Sequence, residues 1–271
     1  MYHSIRLKKK LGQHLLINEK IVHNIIEYAK ITNKETVLEI GAGIGNLTSV
    51  INNKAGKVIA IEKDKEFVEI LKKKFLNENK VKIIEEDVLK ITLPHFDKIV
   101  STPPYNISSK LMFLLLNTSY KIIVLVLQKE FAERLIAKPG TKNYGRLTVT
   151  IGYRANIELL DYISKDNFYP QPEVDSAIVR ITPKKTIPKL VYLESFNDFV
   201  RILFSQRRKK VSKVISFYIK RKFRYLEREK IHSINIPEKR VYELNNNEII
   251  CVFKNVNRIL SKKTKSPIRL F

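Results

Sequence analysis

The sequence predicts an α/β fold, a doubly wound and mainly parallel sheet followed by a small helical domain. Three observations lead there. Short apolar runs alternate with helix-spaced stretches from residue 36 onward. A glycine-rich turn joins the first of those strands to the first helix. Past about residue 184 the strand pattern stops, and apolar residues fall at helical spacing.

The elements follow in order. Thr36–Ile40 reads as a strand and Asn46–Asn53 as a helix. Lys57–Glu62 is the next strand, and Lys65–Leu76 the next helix. Val81–Glu86, Lys98–Ser101 and Ile122–Leu127 are further strands, with helices over Ser109–Leu116 and Lys129–Ala137 around the last of them. Ile157–Ile163 and Ala177–Ile181, joined by a proline-containing turn, suit an antiparallel hairpin at the sheet edge. Thr182-Pro183-Lys184-Lys185, with Pro188 beyond, reads as a linker. Phe196, Phe199, Val200, Leu203 and Phe204 then share one helix face, and Val211–Tyr218 predicts a second helix. The expected domains are residues 1–184 and 185–271.

Composition narrows the function classes. A hydrophobic content of 44% argues for a folded chain. No apolar run approaches the roughly 20 residues that span a bilayer. The basic start, Met1 to Lys10, lacks the apolar core of a secretion signal, so the expected compartment is the cytoplasm. A single cysteine, Cys251, excludes an internal disulfide and a Cys-based zinc cluster. His14, His23, His95 and His232 are scattered, so no metal is expected, and no motif suggests a covalent nucleophile. The net charge of +24 predicts a polyanionic partner, nucleic acid before an anionic membrane surface. The charge is uneven: residues 185–271 carry a net +15 and the first 184 residues +9, which assigns the partner mainly to the helical domain. Nothing requires an oligomer, and a monomer is expected.

Glu39-Ile40-Gly41-Ala42-Gly43-Ile44-Gly45 lies between a strand and a helix, where glycines let the backbone approach a ligand. The spacing is Gly-x-Gly-x-Gly, and a carboxylate at Glu39 precedes it. That pair of features favours S-adenosylmethionine, with its cationic amino-acid end, over a dinucleotide. Glu62 ends the second strand and is placed to accept ribose hydroxyls. Asp87 follows the third strand and is placed to accept from the adenine amino group, with Lys63 and Val88 beside these two acids.

The fourth strand runs into Ser101-Thr102-Pro103-Pro104-Tyr105-Asn106. Two prolines fix φ and hold the Thr102 and Pro103 carbonyls in a rigid turn. Tyr105 offers a face on which an extruded base can stack. Acceptors aimed at the hydrogens of an exocyclic amine favour a tetrahedral nitrogen and free its lone pair for methyl transfer.

These segments, with Gly12-Gln13-His14-Leu15-Leu16, Gln128-Lys129-Glu130-Phe131-Ala132, Tyr144-Gly145-Arg146-Leu147 and Phe168-Tyr169-Pro170-Gln171-Pro172-Glu173-Val174-Asp175-Ser176, occur in an order that resembles the rRNA adenine dimethyltransferases, archaeal members above all. The resemblance implies a Rossmann-like S-adenosylmethionine-dependent enzyme that methylates adenines near the 3′ end of small-subunit rRNA during ribosome biogenesis. It places Gln13, His14 and Leu15 at the methionine end of the cofactor, and Phe168 opposite Tyr105 around the flipped base. One departure matters. The family carries Asn where this chain has Thr102, a shorter acceptor that is also a donor. That departure keeps a second class in view, a ribosome-assembly factor with weak or no catalysis; a DNA adenine methyltransferase ranks third. The expected RNA-binding array is Arg207, Arg208, Lys209, Lys210 and Lys213, with His3, Arg6, Lys8, Lys9 and Lys10 as lesser candidates.

Overall fold

In a computed structural model the structure describes residues 7–8, 12–185, 193–222 and 234–261. Met1 to Arg6, Lys9, Lys10, Pro188 and His232 lie outside the described residues, and with them His3 of the basic N-terminal set. The chain sorts into two compact units, Met1–Ile136 with Arg154–Lys185, and Ala137–Tyr153 with Thr186–Phe271.

The first unit carries β1 (Leu15–Leu16), α1 (Glu19–Ala29), β2 (Thr36–Ile40), α2 (Asn46–Lys54), β3 (Lys57–Glu62), α3 (Lys65–Lys74), β4 (Val81–Glu85), β5 (Lys98–Ser101), α4 (Ser108–Leu115), β6 (Ile122–Gln128) and α5 (Lys129–Leu135). After α6 (Arg146–Arg154) come β7 (Ala155–Ile163), β8 (Phe168–Tyr169) and β9 (Ser176–Pro183). Seven strands form one sheet in the order β4-β3-β2-β5-β6-β9-β7. The first four pairings, from β4 to β6, are parallel, and β9 pairs antiparallel with both β6 and β7. The predicted strands are all present within a few residues of their expected ends, and the terminal pair is antiparallel. Its later strand, β9, sits inside the sheet and the earlier one, β7, forms the edge.

The expected linker is different. Thr182 and Pro183 are the end of β9, opposite Asn156 and Ala155, and the Lys184 N–H donates to the Arg154 carbonyl at 3.0 Å. Pro183 lies past Ile181, the last β9 residue paired with β6, so its missing N–H falls outside that ladder. Helix α1 was not predicted, although Val22, Ile25, Ile26 and Ala29 form its buried stripe and the Asn18 side chain caps it by accepting from the Lys20 and Ile21 N–H groups.

The second unit is built on α7 (Leu193–Ser205), α8 (Val211–Lys222) and α9 (Asn246–Ser261). Phe196, Phe199, Val200 and Leu203 are fully buried, as their spacing predicts. Phe253 packs on Phe196 and Phe199 at ring centroid distances of 5.2 and 5.3 Å. Tyr144, Val149 and Tyr153 belong to this same core, and the Tyr144 hydroxyl donates to the Leu244 carbonyl at 2.6 Å. An insertion between α5 and β7 therefore supplies core residues to the helical unit. Among the described residues no helix is long and apolar enough to cross a membrane.

One buried ion pair braces the amino ends of the central strands. Lys98, at the start of β5, reaches Glu35 at 2.8 Å and donates to the Lys30 carbonyl at 2.5 Å; both side chains are buried. Burial raises the Glu35 carboxyl, but the Lys98 hydrogen bond and the Thr32 N–H outweigh it and hold it below its usual 4.5. Lys98→Met removes the shorter of two lysine contacts to Glu35, leaving Lys121 at 3.4 Å, and should cost about 2–3 kcal/mol at neutral pH, read as a lower thermal midpoint. The paired carboxylate stabilises the fold above its unfolded pKa and loses that contribution as pH falls through the depressed folded value. The deficit of the variant should therefore shrink below about pH 4. An equal deficit at pH 7 and pH 4 would reject the pair as its cause.

Candidate active site

The cleft lies at the carboxyl ends of β2, β3 and β5, where the strand order reverses. The chain leaves β2 for β3 on one side and later returns to β5 on the other, and the crevice opens above the carboxyl ends of the strands at this reversal. Gly41 and Gly43 turn there with φ of 74° and 57°, a region that side chains with Cβ rarely adopt. The Gly41 N–H donates to the Ile61 carbonyl at 2.8 Å and ties the turn to β3.

Glu62 lines the cleft and also braces that turn. Its Oε2 accepts from the Gly43 N–H at 2.9 Å, and its Oε1 from the Lys63 and Asp64 N–H groups at 2.8 and 2.9 Å. A carboxylate has about four lone-pair sites, so three are engaged before any ligand arrives. Gly45, expected to touch the cofactor, does not line the cleft. It caps α2 at φ 81°, and a Cβ there would stand 2.7 Å from Phe75 Cε2 and 2.9 Å from Leu71 Cδ2. It is a packing glycine between the turn and α3.

Glu39 is 1% exposed, and Thr48 Oγ1 donates to its Oε2 at 2.5 Å. Burial pushes its carboxyl up to about 8, the Thr48 bond only partly opposing it, with nearby Glu62 adding to the rise. Such a group is neutral until a cation approaches. On the far wall Asp87 accepts from the Leu89 N–H at 3.0 Å, the main cause of its lowered pKa, and pairs with Lys63 at 3.3 Å. Lys63, Asp87 and the buried Val88 all line the cleft. S-adenosylmethionine fits these residues: a glycine cradle that excludes side chains, a buried carboxyl able to take charge opposite an ammonium, and acids at successive strand ends. Among the described residues no group of three His, Cys, Asp or Glu side chains is placed to hold a metal ion.

The loop after β5 forms the opposite lip. Ser101 Oγ donates to the Ile40 carbonyl at 2.5 Å, locking the ends of β5 and β2 together. Pro104 packs so near the glycine turn that a Cβ on Gly41 would lie 3.1 Å from its Cδ. Thr102 lines the cleft beside the buried Pro103, and its hydroxyl has no hydrogen-bond partner among the described residues. Tyr105, half-buried in a 3-10 turn, shares a 2.5 Å hydrogen bond with Ser176 Oγ. Phe168 is 4% exposed and lines the same cleft. It is delivered by pairing with Leu16 across β1 and β8, and by the Ile17 N–H donating to the Asn167 carbonyl at 2.9 Å.

Gln13, His14 and Leu15 all line the cleft. The Gln13 amide, however, is already engaged: its Nε2 donates to Asp64 Oδ2 at 2.7 Å and its Oε1 accepts from the Lys8 N–H at 2.6 Å. Asp64 also pairs with Lys8 Nζ at 2.7 Å and caps α3. Sequence reasoning missed Asp64, although an Asp immediately before a helix start is a visible cap signal. Burial raises the Asp64 carboxyl, but Lys8, Gln13 and the Glu66 N–H together hold it low. Lys8, expected to bind RNA in a minor way, is committed here.

In the helical unit Arg208, Lys209, Lys210 and Lys213 are exposed. Arg207 is not available in the same way. Its guanidinium donates to the Lys142 and Thr141 carbonyls at 2.8 and 2.9 Å and lies 5.6 Å above the Tyr242 ring. It clasps the 141–142 loop, a duty that the run of basic residues did not reveal.

The family model for ribosomal RNA adenine dimethylase matches residues 4–257. A probable ribosomal RNA small subunit methyltransferase A of Thermococcus onnurineus is 40% identical over 266 residues, 95% of this chain and 96% of that one. The crystal structure of a dimethyladenosine transferase from Plasmodium falciparum superposes with a TM-score of 0.80 at 31% identity, covering 90% of this chain and 98% of that one. The 23S rRNA methyltransferase ErmE shares the fold at a TM-score of 0.69 and 23% identity, over 90% of this chain and 99% of its own.

Asp64→Asn removes the charge that holds Lys8 while keeping a side chain that caps α3 equally well. Equilibrium dialysis should show S-adenosylmethionine binding weakened by about five- to tenfold, the worth of one charge-assisted hydrogen bond. Unchanged affinity would mean that the Lys8–Asp64–Gln13 clasp has no bearing on the cleft.

Proposed function

Because the chain belongs to the ribosomal RNA adenine dimethylase family, we propose that it dimethylates adenine exocyclic amines near the 3′ end of small-subunit rRNA during ribosome biogenesis. It is an S-adenosylmethionine-dependent rRNA adenine dimethyltransferase. The proposed setting is the cytoplasm, with the pre-ribosomal small subunit as substrate and the enzyme a monomer. The observation that carries the reading is the placing of the Gly41–Gly43 turn and the Thr102–Tyr105 turn on the two lips of one cleft, joined by the Ser101 bond to Ile40.

S-adenosylmethionine, when bound, supplies an electrophilic methyl group. Glu39, His14 and Leu15 hold its methionine end, with Gln13 fastening that segment to Asp64, Glu62 holds its ribose, and Lys63, Asp87 and Val88 its adenine. Tyr105 and Phe168 hold the extruded base between them. The Thr102 hydroxyl and the Pro103 carbonyl accept from the target amine, which localises its lone pair without any general base. Arg208, Lys209, Lys210 and Lys213 hold RNA phosphates, with Arg207 shaping their support.

A second reading, an assembly factor with little catalysis, rests on Thr102. A Thr side chain reaches less far than Asn and presents one oxygen that must also place a proton. Incubation with labelled S-adenosylmethionine and unmethylated small ribosomal subunits should recover methyl groups on adenines. Thr102→Asn should raise the rate, at most by roughly 10²–10³-fold, by analogy with the deletion of one oxyanion-hole donor. Tight binding of subunits by a wild type that transfers nothing would favour the second reading, and a rate that Asn leaves unchanged would remove the role given to Thr102. Neutralising Arg208, Lys209, Lys210 and Lys213 together should weaken RNA binding and flatten the dependence of log affinity on log salt, by about 0.7–0.9 for each phosphate no longer neutralised. The same salt slope in the variant would place the RNA surface elsewhere.

A further inference from the structure

The segment from Phe168 to Ser176 brings more to the cleft than Phe168. Ser176 opens β9 and is paired on both sides, with Gln128 of β6 and Ile163 of β7. It is fully buried, and its hydroxyl meets the Tyr105 hydroxyl at 2.5 Å. From the same segment the Pro170 carbonyl accepts from His14 Nδ1 at 2.7 Å. The His14 ring lies stacked on Tyr105, with centroids 5.8 Å apart and planes 22° from parallel. Tyr105 is thus held at its tip by the sheet and along one face by His14, with both holds anchored in the segment that also carries Phe168.

The fold does not need the hydroxyl pair. Two hydroxyls that bond each other, here the buried Ser176 and the half-buried Tyr105, can be replaced together by apolar groups at little cost in stability. A stacking platform does need it: a ring free to tilt on a short turn presents a base at varying angles, and small misplacements cost large factors in rate. We propose that Ser176 is a positioning residue that fixes the plane of Tyr105 for stacking on the target base, with His14 as the backing of that ring. The inference rests on the reading of Tyr105 as the base platform.

The test uses the full chain, labelled S-adenosylmethionine and unmethylated small ribosomal subunits. Ser176→Ala should lower kcat about tenfold, the worth of one hydrogen bond, with S-adenosylmethionine affinity unchanged. Tyr105→Phe removes the same bond from the other side and should lower kcat as much. The double variant should be no worse than the poorer single one, because both changes delete one interaction. Ser176→Thr, which restores a hydroxyl, should recover most of the rate. Should Ser176→Ala fold poorly, Tyr105→Phe carries the test, since its half-exposed ring tolerates the change. Wild-type kcat in either single variant, or deficits that multiply in the double one, overturns the inference while leaving the proposed function standing. A wild type that transfers no methyl group overturns the proposed function, and this inference with it.

Discussion

The parallel pairing of β2 with β5 governs the cleft. These strands are far apart in sequence, and Val37 and Leu38 stand opposite Lys98 and Ile99. Their carboxyl ends are closed by the Ser101 hydroxyl on the Ile40 carbonyl, and their amino ends by the buried Lys98–Glu35 pair. Everything chemical hangs on this seam. The glycine turn follows one strand and the Thr-Pro-Pro-Tyr turn follows the other. Their close approach, with Pro104 Cδ 3.1 Å from where a Gly41 Cβ would stand and Gly41 at φ 74°, suits glycine in one turn and proline in the other. Glycine admits the close approach, and proline keeps the partner from moving away.

Two segments distant in the chain then cover the seam. The residues before α1 pair with those after β7, Leu15 with Tyr169 and Leu16 with Phe168. The Asn18 side chain both caps α1 and donates to Asn167 at 2.8 Å. The Lys8–Asp64–Gln13 clasp fastens the first of these segments to the start of α3. The walls of the cleft are therefore made of three layers: strand ends, a two-residue sheet, and polar clasps at helix caps. Each is small, and each depends on the one beneath it.

Charge divides the labour differently from packing. The cleft is lined by acids whose environments diverge, Glu39 raised by burial and Asp87 lowered by a backbone N–H. Such divergence suits a ligand that carries a cation at one end and hydrogen-bond donors at the other. The larger share of the net positive charge, +15 of +24, falls in residues 185–271, where the exposed Arg208, Lys209, Lys210 and Lys213 stand outside a mainly apolar core.

Much of this was legible in the residues. Strand and helix periods, the glycine turn, the acids at strand ends and the Pro-Pro-Tyr turn are local patterns. Local patterns follow from backbone sterics and from the need to bury one face, so the order of elements, and the placing of Glu39, Glu62, Asp87 and Tyr105 at strand ends that line one cleft, could be read directly. Tertiary structure decided what depends on the meeting of distant positions. It turned Gly45 from a ligand-binding residue into a packing residue beneath Phe75, made Arg207 a clasp on the 141–142 loop, drew Tyr144 and Val149 into the helical core, and set Ser176 against Tyr105. None of these has a sequence period, because a hydrogen bond between residues 71 positions apart is determined by how the sheet is ordered, and no window of neighbouring residues contains that information.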